Sequence, residues 1–157
     1  MVSELASTIT SLQSDDLGNL APFFTISTLR ENEDNSDMAA GEIQVSNNGR
    51  YIYASNRDNS DPNLNRSSIA VFKVLSNGEL ELIQHVSSLG QHPRHFDIVP
   101  VKSGLQFLLI ANKDSNNIVR YDIDEESGLV NETSSVIFYS PALFSPAYIL
   151  ALDERVG

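Results

Sequence analysis

Gly49-Arg50-Tyr51-Ile52-Tyr53-Ala54-Ser55-Asn56-Arg57 is followed by Ser68-Ile69-Ala70-Val71-Phe72-Lys73-Val74 and then by Asn77-Gly78-Glu79-Leu80-Glu81-Leu82. The same order returns downstream as Gly104-Leu105-Gln106-Phe107-Leu108-Leu109-Ile110-Ala111-Asn112-Lys113, Asn117-Ile118-Val119-Arg120-Tyr121-Asp122-Ile123 and Ser127-Gly128-Leu129-Val130-Asn131-Glu132. Ile69 to Ile118 and Phe72 to Tyr121 are 49 positions, and Gly78 to Gly128 is 50. Alternating or β-branched and aromatic runs bounded by Asn-Gly and Ser-Gly read as short strands joined by tight turns. A period near 50 built from such strands is the blade of an all-β propeller, one four-stranded antiparallel sheet.

A third, partial copy stands at the start. Ser3-Glu4-Leu5 takes the place of Ser55-Asn56-Arg57, Thr8-Ile9-Thr10 that of the Ile69 strand, Gly18-Asn19-Leu20 that of Gly78-Glu79-Leu80, and Phe23 to Thr28 that of the closing strand. A helix over Ser3 to Leu12 is the competing reading, but β-branched Thr8-Ile9-Thr10 favours a strand. The blades fall at about 1–36 (partial), 37–90, 91–140 and 141–157, where Ala147 to Leu152 reads as the opening strand of a further blade. A propeller closes with about four to eight blades. Two and a half to three do not close it, so the expectation is a fragment whose ring is completed by N-terminal blades of the same propeller. Open faces and unpaired edges then predict poor solubility for the piece alone.

Twenty-one acidic residues face 10 basic ones for a net charge of -11, and no basic cluster exists to follow a phosphate backbone. Nucleic acid is therefore not an expected partner. The acidity lies in turns such as Asp15-Asp16, Glu31 to Asp37 and Asp122 to Glu126, which read as solvated loops. The chain has no cysteine, which removes disulfides and thiolate metal sites and permits a reducing compartment. No apolar run of about 18 residues spans a bilayer, and no secretory signal pattern is present. The expected setting is cytoplasmic, without membrane partner or cofactor.

Two polar stretches invite a metal. Asp58 to Arg66, an insertion absent from the second repeat, carries Asp58, Asn59, Asp61 and Asn63. It lacks the ordered Gly and closing Glu of a calcium loop, and a plain surface loop is expected. His92 and His95 are spaced i, i+3, but on a loop entering a strand that spacing does not fix two ligands on one side, and no third ligand is evident. No metal site is expected. His85, on an outer strand, is expected to be exposed.

The stretch Ala39-Ala40-Gly41-Glu42-Ile43-Gln44-Val45-Ser46-Asn47-Asn48-Gly49-Arg50-Tyr51-Ile52-Tyr53-Ala54-Ser55-Asn56-Arg57 resembles the signature of the seven-bladed lactonase propellers. That family includes bacterial-type 6-phosphogluconolactonase and the fungal 3-carboxy-cis,cis-muconate lactonizing enzyme. Ser3-Glu4-Leu5 looks like the family's Asn-Glu-Leu, Pro93-Arg94-His95-Phe96 like its Pro-Arg-Asp-Phe, and Ala111-Asn112-Lys113 like its Ala-Asn-Gln. The resemblance covers nearly the whole chain and implies the C-terminal blades, the last three or so of seven. It departs from the family at Ser3, at His95 and in the longer Asp58 to Arg66 loop. The family's other site residues, a histidine among them, would lie on other blades, so activity of this piece alone is not expected.

Propeller sites form at one mouth of the channel, where equivalent loop positions of successive blades converge. Glu4 and Arg57 hold nearly equivalent places, and Lys113 follows in the third repeat. A carboxylate with two cations suits a small anionic substrate, a lactone or a carboxylate. The resemblance implies hydrolysis of a sugar-acid lactone such as 6-phosphogluconolactone, with Glu4 as general base and Arg57 stabilising the oxyanion. In the alternative, a carboxymuconate cyclase, a carboxylate or histidine moves a proton while Arg holds substrate carboxylates. A third reading is a non-catalytic platform or an inactive truncated product. Arg94, His95, Glu42 and Lys113 are the candidate substrate-binding residues. Structural readings stand beside these: an ion pair or a solvated loop end for Glu4 and Arg57, a hydrogen bond to neighbouring blade backbone for Arg94, a structural place at the start of its strand for Glu42, and a hydrogen-bonded or surface position for His95.

Overall fold

In the computed structural model, residues 1–61, 63–64, 66–100 and 106–151 are described. Gly104-Leu105 of the second repeat, Leu152 of the expected opening strand, and Pro62 and Asn65 within the 58–66 insertion lie outside them. Among the described residues eleven strands form three sheets, and every hydrogen-bonded pair is antiparallel. The first sheet is β1 (Val2–Ser3), β2 (Thr8–Ser14) and β3 (Leu20–Ser27). The second is β4 (Met38–Val45), β5 (Tyr51–Asp58), β6 (Ser68–Val74) and β7 (Leu80–Ser87). The third is β8 (Pro93–Pro100), β9 (Gln106–Asn112), β10 (Asn117–Ile123) and β11 (Val130–Tyr139). The Ser3 to Leu12 stretch is strand, turn and strand, as its β-branched centre requires. Gly49, Gly78 and Gly128 hold φ of 70°, 83° and 72° in the turns where the sequence places them.

Because side chains alternate across a strand, each strand of a central blade serves two cores. Tyr51 and Tyr53 of β5 and Ile69 and Val71 of β6 join Phe96, Ile98, Leu108, Ile110, Val119 and Tyr121 between the second and third sheets. Ala54 of β5 and Ala70 and Phe72 of β6 turn the other way and meet Ile9 of the first sheet. The register is locked by polar groups spanning adjacent blades. Gln44 donates from Nε2 to Phe96 O and accepts from Ile98 N, and Gln84 does the same with the two backbone groups of Val130. Tyr53 Oη donates to Gly128 O at 2.7 Å. Asn56 Nδ2 donates to Thr28 O, and Asn112 Nδ2 donates to Ser88 O, so the Asn of each second strand pins its blade to the one before.

Two expectations need correction. Residues 147–151 form no ladder, although the segment lies where an opening strand belongs. Ala151 N donates to Asp97 Oδ2 at 3.0 Å, as Ile98 N donates to Gln44 Oε1 at 3.2 Å, and both members of the pair are 53 positions apart. Among the described residues no strand flanks it, so its backbone has no ladder to join. His85 is half-buried rather than exposed, with Nε2 2.8 Å from Thr28 O, and burial pushes its pKa down. It stands at the seam between the first two blades, which its place on an outer strand does not reveal.

Apolar side chains remain on the surface at both ends of the set, among them Leu20, Phe23 and Val45 at one and Phe138, Phe144 and Leu150 at the other. Open blade faces leave surface of this kind. No helix among the described residues is long and apolar enough to cross a membrane.

The insertion after β5 is a surface loop held by an ion pair at its base. Asp58 accepts from Ser60 N and Oγ and from Arg66 Nε and Nη2, the last at 2.9 Å, with its own side chain 5% exposed. Burial opposes ionisation there, but these hydrogen bonds and the Arg66 charge bring its pKa from 3.8 down to about 2. A carboxylate depressed on folding contributes stability that is full above its unfolded value and is lost as pH falls through the folded one. Urea midpoints of wild type and Asp58→Asn are therefore expected to differ most above about pH 4 and to converge near pH 2. A constant difference across that window would remove Asp58 as the cause.

Candidate functional site

The turn between β1 and β2 carries Glu4, and its backbone is held against the second sheet because Glu4 O accepts from Ala40 N at 2.9 Å. Arg57, at the end of β5, directs Nη2 to Glu4 Oε1 at 2.5 Å and to Ala40 O at 2.9 Å. The arginine side chain is 8% exposed and the glutamate 63%, so a nearly buried cation presents one accessible carboxylate. Gly41 makes room for it, since a Cβ there would stand 2.6 Å from Ser55 Oγ and 3.3 Å from Arg57 Nε. The Arg57 guanidinium holds the Glu4 carboxyl below its ordinary 4.5, first by its hydrogen bond and then by its charge, with Arg94 and His92 adding to the effect.

On the far side of Arg57, Nη1 stands 3.4 Å from His92 Nε2. His92 Nδ1 is 3.3 Å from Asp114 Oδ2, and Lys113 Nζ is 3.3 Å from Asp114 Oδ1. Burial pushes the His92 pKa below 6.5 against the pull of Asp114, with Arg57, Lys113 and Arg94 acting in the same direction as burial. The imidazole is therefore neutral at pH 7, and its contact with Asp114 is not an ion pair. The result is a polar chain from Glu4 through Arg57, His92 and Asp114 to Lys113 that crosses all three blades. A cleft of about 380 Å³ opens beside it, lined by Asp58, Ser60, Ser67, Gln91, His92 and Asp114 among others.

A second pair lies nearby. β4 is irregular between Ala40 and Ile43 and β8 between Pro93 and His95, matching positions in successive blades. Bulges re-aim side chains, and these two sit where Glu42 and Arg94 lie. His95 is buried, with Nε2 3.4 Å from Glu42 Oε2, Nδ1 accepting from Ile149 N, and its ring 3.9 Å from that of Tyr148. Arg94 is exposed.

Of the sequence candidates, the structure joins Glu4 to Arg57 and Glu42 to His95, and it places Lys113 at the far end of the first chain. Arg94 reaches the first group by its charge alone. Sequence reasoning weighed His92 only as a metal ligand and passed over Asp114, which adjoins the repeated position of Lys113. Among the described residues no group of three or more His, Asp or Glu has the geometry to hold a metal.

A model of the family "Lactonase, 7-bladed beta-propeller" matches residues 1–143. The 6-phosphogluconolactonase of Formosa agariphila is 47% identical over 90 residues, which cover 57% of this chain and 23% of that protein. The 6-phosphogluconolactonase of Bacillus subtilis is 29% identical over 140 residues, covering 87% of this chain and 37% of the relative. Among solved structures, a protein from Lactobacillus plantarum superposes with a TM-score of 0.72 at 31% identity, covering 83% of this chain and 35% of that one. A periplasmic gluconolactonase of Pseudomonas aeruginosa gives 0.74 at 25% identity, covering 92% and 36%. The chain thus spans less than two fifths of the length of each of these proteins. With the blade repeat, the order of its sheets and a family match over nearly its whole length in agreement, the chain belongs to the seven-bladed β-propeller lactonases.

Proposed function

We propose that the protein carrying this chain hydrolyses the lactone of a sugar acid, most concretely 6-phosphogluconolactone, and that Glu4 and Arg57 work at the reacting carbonyl. The observation that carries this reading is the Glu4–Arg57 pair, in which a nearly buried guanidinium holds an accessible carboxylate. The named activity of the two 6-phosphogluconolactonase relatives supports the substrate class.

In this reading the lactone carbonyl oxygen takes over a guanidinium N–H of Arg57, which stabilises the charge that develops there. Water attacks the carbonyl carbon and gives its proton to Glu4. The tetrahedral intermediate collapses with cleavage of the ring C–O bond, and the leaving hydroxyl recovers the proton. Paired with Arg57, Glu4 is ionised but weakly basic, because the hydrogen bond lowers its pKa. Once the substrate carbonyl takes the Arg57 N–H from Glu4 that hold weakens, and the carboxylate becomes a better base at the step that uses it. Exposed Arg94 and Lys113 are the cations that meet the anionic end of the substrate. We place the activity in the cytoplasm, in line with a cysteine-free chain, whereas the Pseudomonas aeruginosa relative is a periplasmic protein.

The test is turnover of 6-phosphogluconolactone by the full-length protein, followed through release of 6-phosphogluconate against spontaneous hydrolysis. Hydrolysis well above that background is expected. Conversion of carboxymuconate without lactone hydrolysis would replace this reading by the cyclase one.

A further inference from the structure

We propose that His92, oriented by Asp114, is a positioning residue that fixes the direction of the Arg57 guanidinium. This rests on the reading above, in which Arg57 meets the reacting carbonyl. A guanidinium has only donors, so the His92 Nε2 that faces Arg57 Nη1 at 3.4 Å must be the unprotonated nitrogen. The ring proton then sits on Nδ1, which faces Asp114 Oδ2 at 3.3 Å. Asp114 thereby selects the tautomer, and the tautomer supplies the acceptor.

His92 is the only described partner of Nη1, while Nη2 is shared between Ala40 O and Glu4. Arg57 Nε is buried without a partner, so the direction of the head group is set by the Nη2 bonds on one side and by His92 on the other. The backbone supports the same purpose. His92 holds φ of 57° directly before Pro93, a conformation uncommon for a non-glycine residue and disfavoured before proline. It is pinned there by the turn that carries Asp114: Lys113 N donates to His92 O at 3.0 Å and Asp114 N to Gln91 O at 3.2 Å. Strain held in place beside a reactive group is a recurring mark of function.

A charged imidazole would turn a donor toward a donor. The groups that face the ring are Asp114 and Lys113 from the turn after β9, Arg57 from β5 and Arg94 from β8, with Glu4 beyond Arg57. Only Asp114 and Glu4 favour protonation, and burial opposes it.

The test uses the full-length protein and two substitutions. His92→Asn tolerates the positive φ but is too short to reach Arg57, whereas His92→Gln keeps an acceptor at similar reach and does not titrate. His92→Asn is expected to lower kcat by about 10-fold to 100-fold, the scale of a misplaced reacting group. His92→Gln is expected to recover most of that loss and to flatten the acid limb of the kcat/KM profile. In wild type, ¹⁵N NMR of histidine is expected to show the Nδ1-protonated tautomer at neutral pH. An Nε2-protonated ring, or His92→Asn with wild-type kcat and pH profile, would overturn the proposal. An Arg57→Met variant with normal turnover would instead overturn the catalytic reading, leaving the NMR tautomer to decide this one.

Discussion

Arg57→Met in the full-length protein is expected to lower kcat/KM for lactone hydrolysis by about 10²-fold to 10³-fold, the usual consequence of losing a donor to a developing oxyanion. Methionine suits the test because it is unbranched and apolar, and the arginine side chain is already 8% exposed, so the blade seam keeps its packing. The loss should appear mainly in kcat, because the bond to the carbonyl oxygen strengthens as charge develops. Glu4 supplies a second readout. Its pKa is held below 4.5 chiefly by Arg57, so the variant's Glu4 should titrate closer to that ordinary value. Steady-state kinetics and ¹³C NMR of the Glu4 carboxyl measure the two effects. An unchanged kcat/KM together with the expected Glu4 shift would reduce the pair to a structural ion pair and favour a binding platform.

The blades were legible because their signal is local and repeated. Glycine turns at Gly49, Gly78 and Gly128 and the β-branched and aromatic runs of β5 and β6 announce strands at fixed spacing, and both hold in the structure. The double use of β5, with Tyr53 facing one core and Ala54 the other, follows from period-2 geometry once the blade is placed. Residues 147–151 show the limit of that logic. Their composition reads as a strand and their hydrogen bond to Asp97 gives them a strand's place, but a ladder depends on a neighbour that composition does not supply.

The candidate site was legible only where it follows the repeat. Glu4, Arg57 and Lys113 share one blade position, and the structure strings them along one polar chain. Of the links between them, Asp114 lies one residue past that position, whereas His92 lies on the turn into β8, and its approach to Arg57 depends on how the second and third blades dock. Asn56 and Asn112 make the same point from the other side. Each is conspicuous beside a candidate residue, yet its amide is spent on a backbone carbonyl of the preceding blade, which gives it a structural role in both repeats. Position within a blade separates strand from turn, whereas the division between pinning and chemistry is made across the seams.

Phe96→Ala tests how strongly those seams hold the site. Phe96 lies on β8 directly after Arg94 and His95, is fully buried, and belongs to the core between the second and third sheets. Its carbonyl also accepts from Gln44 of the second sheet at 2.5 Å, so side chain and backbone both bind that seam. Truncating a buried phenylalanine costs about 3–5 kcal/mol, through lost transfer energy and the cavity left behind. Against a total stability of about 5–15 kcal/mol this is among the largest effects a single substitution produces. Urea denaturation of the full-length protein is expected to show that loss as a lower midpoint, while Phe96→Leu, which leaves a smaller void, should lose less. Because His95 and Glu42 meet across the same seam, the alanine variant should also show a raised KM under conditions where it remains folded. A change below about 1 kcal/mol would mean that the seam collapses onto the void, and that the polar pins rather than the shared core set the spacing of the blades.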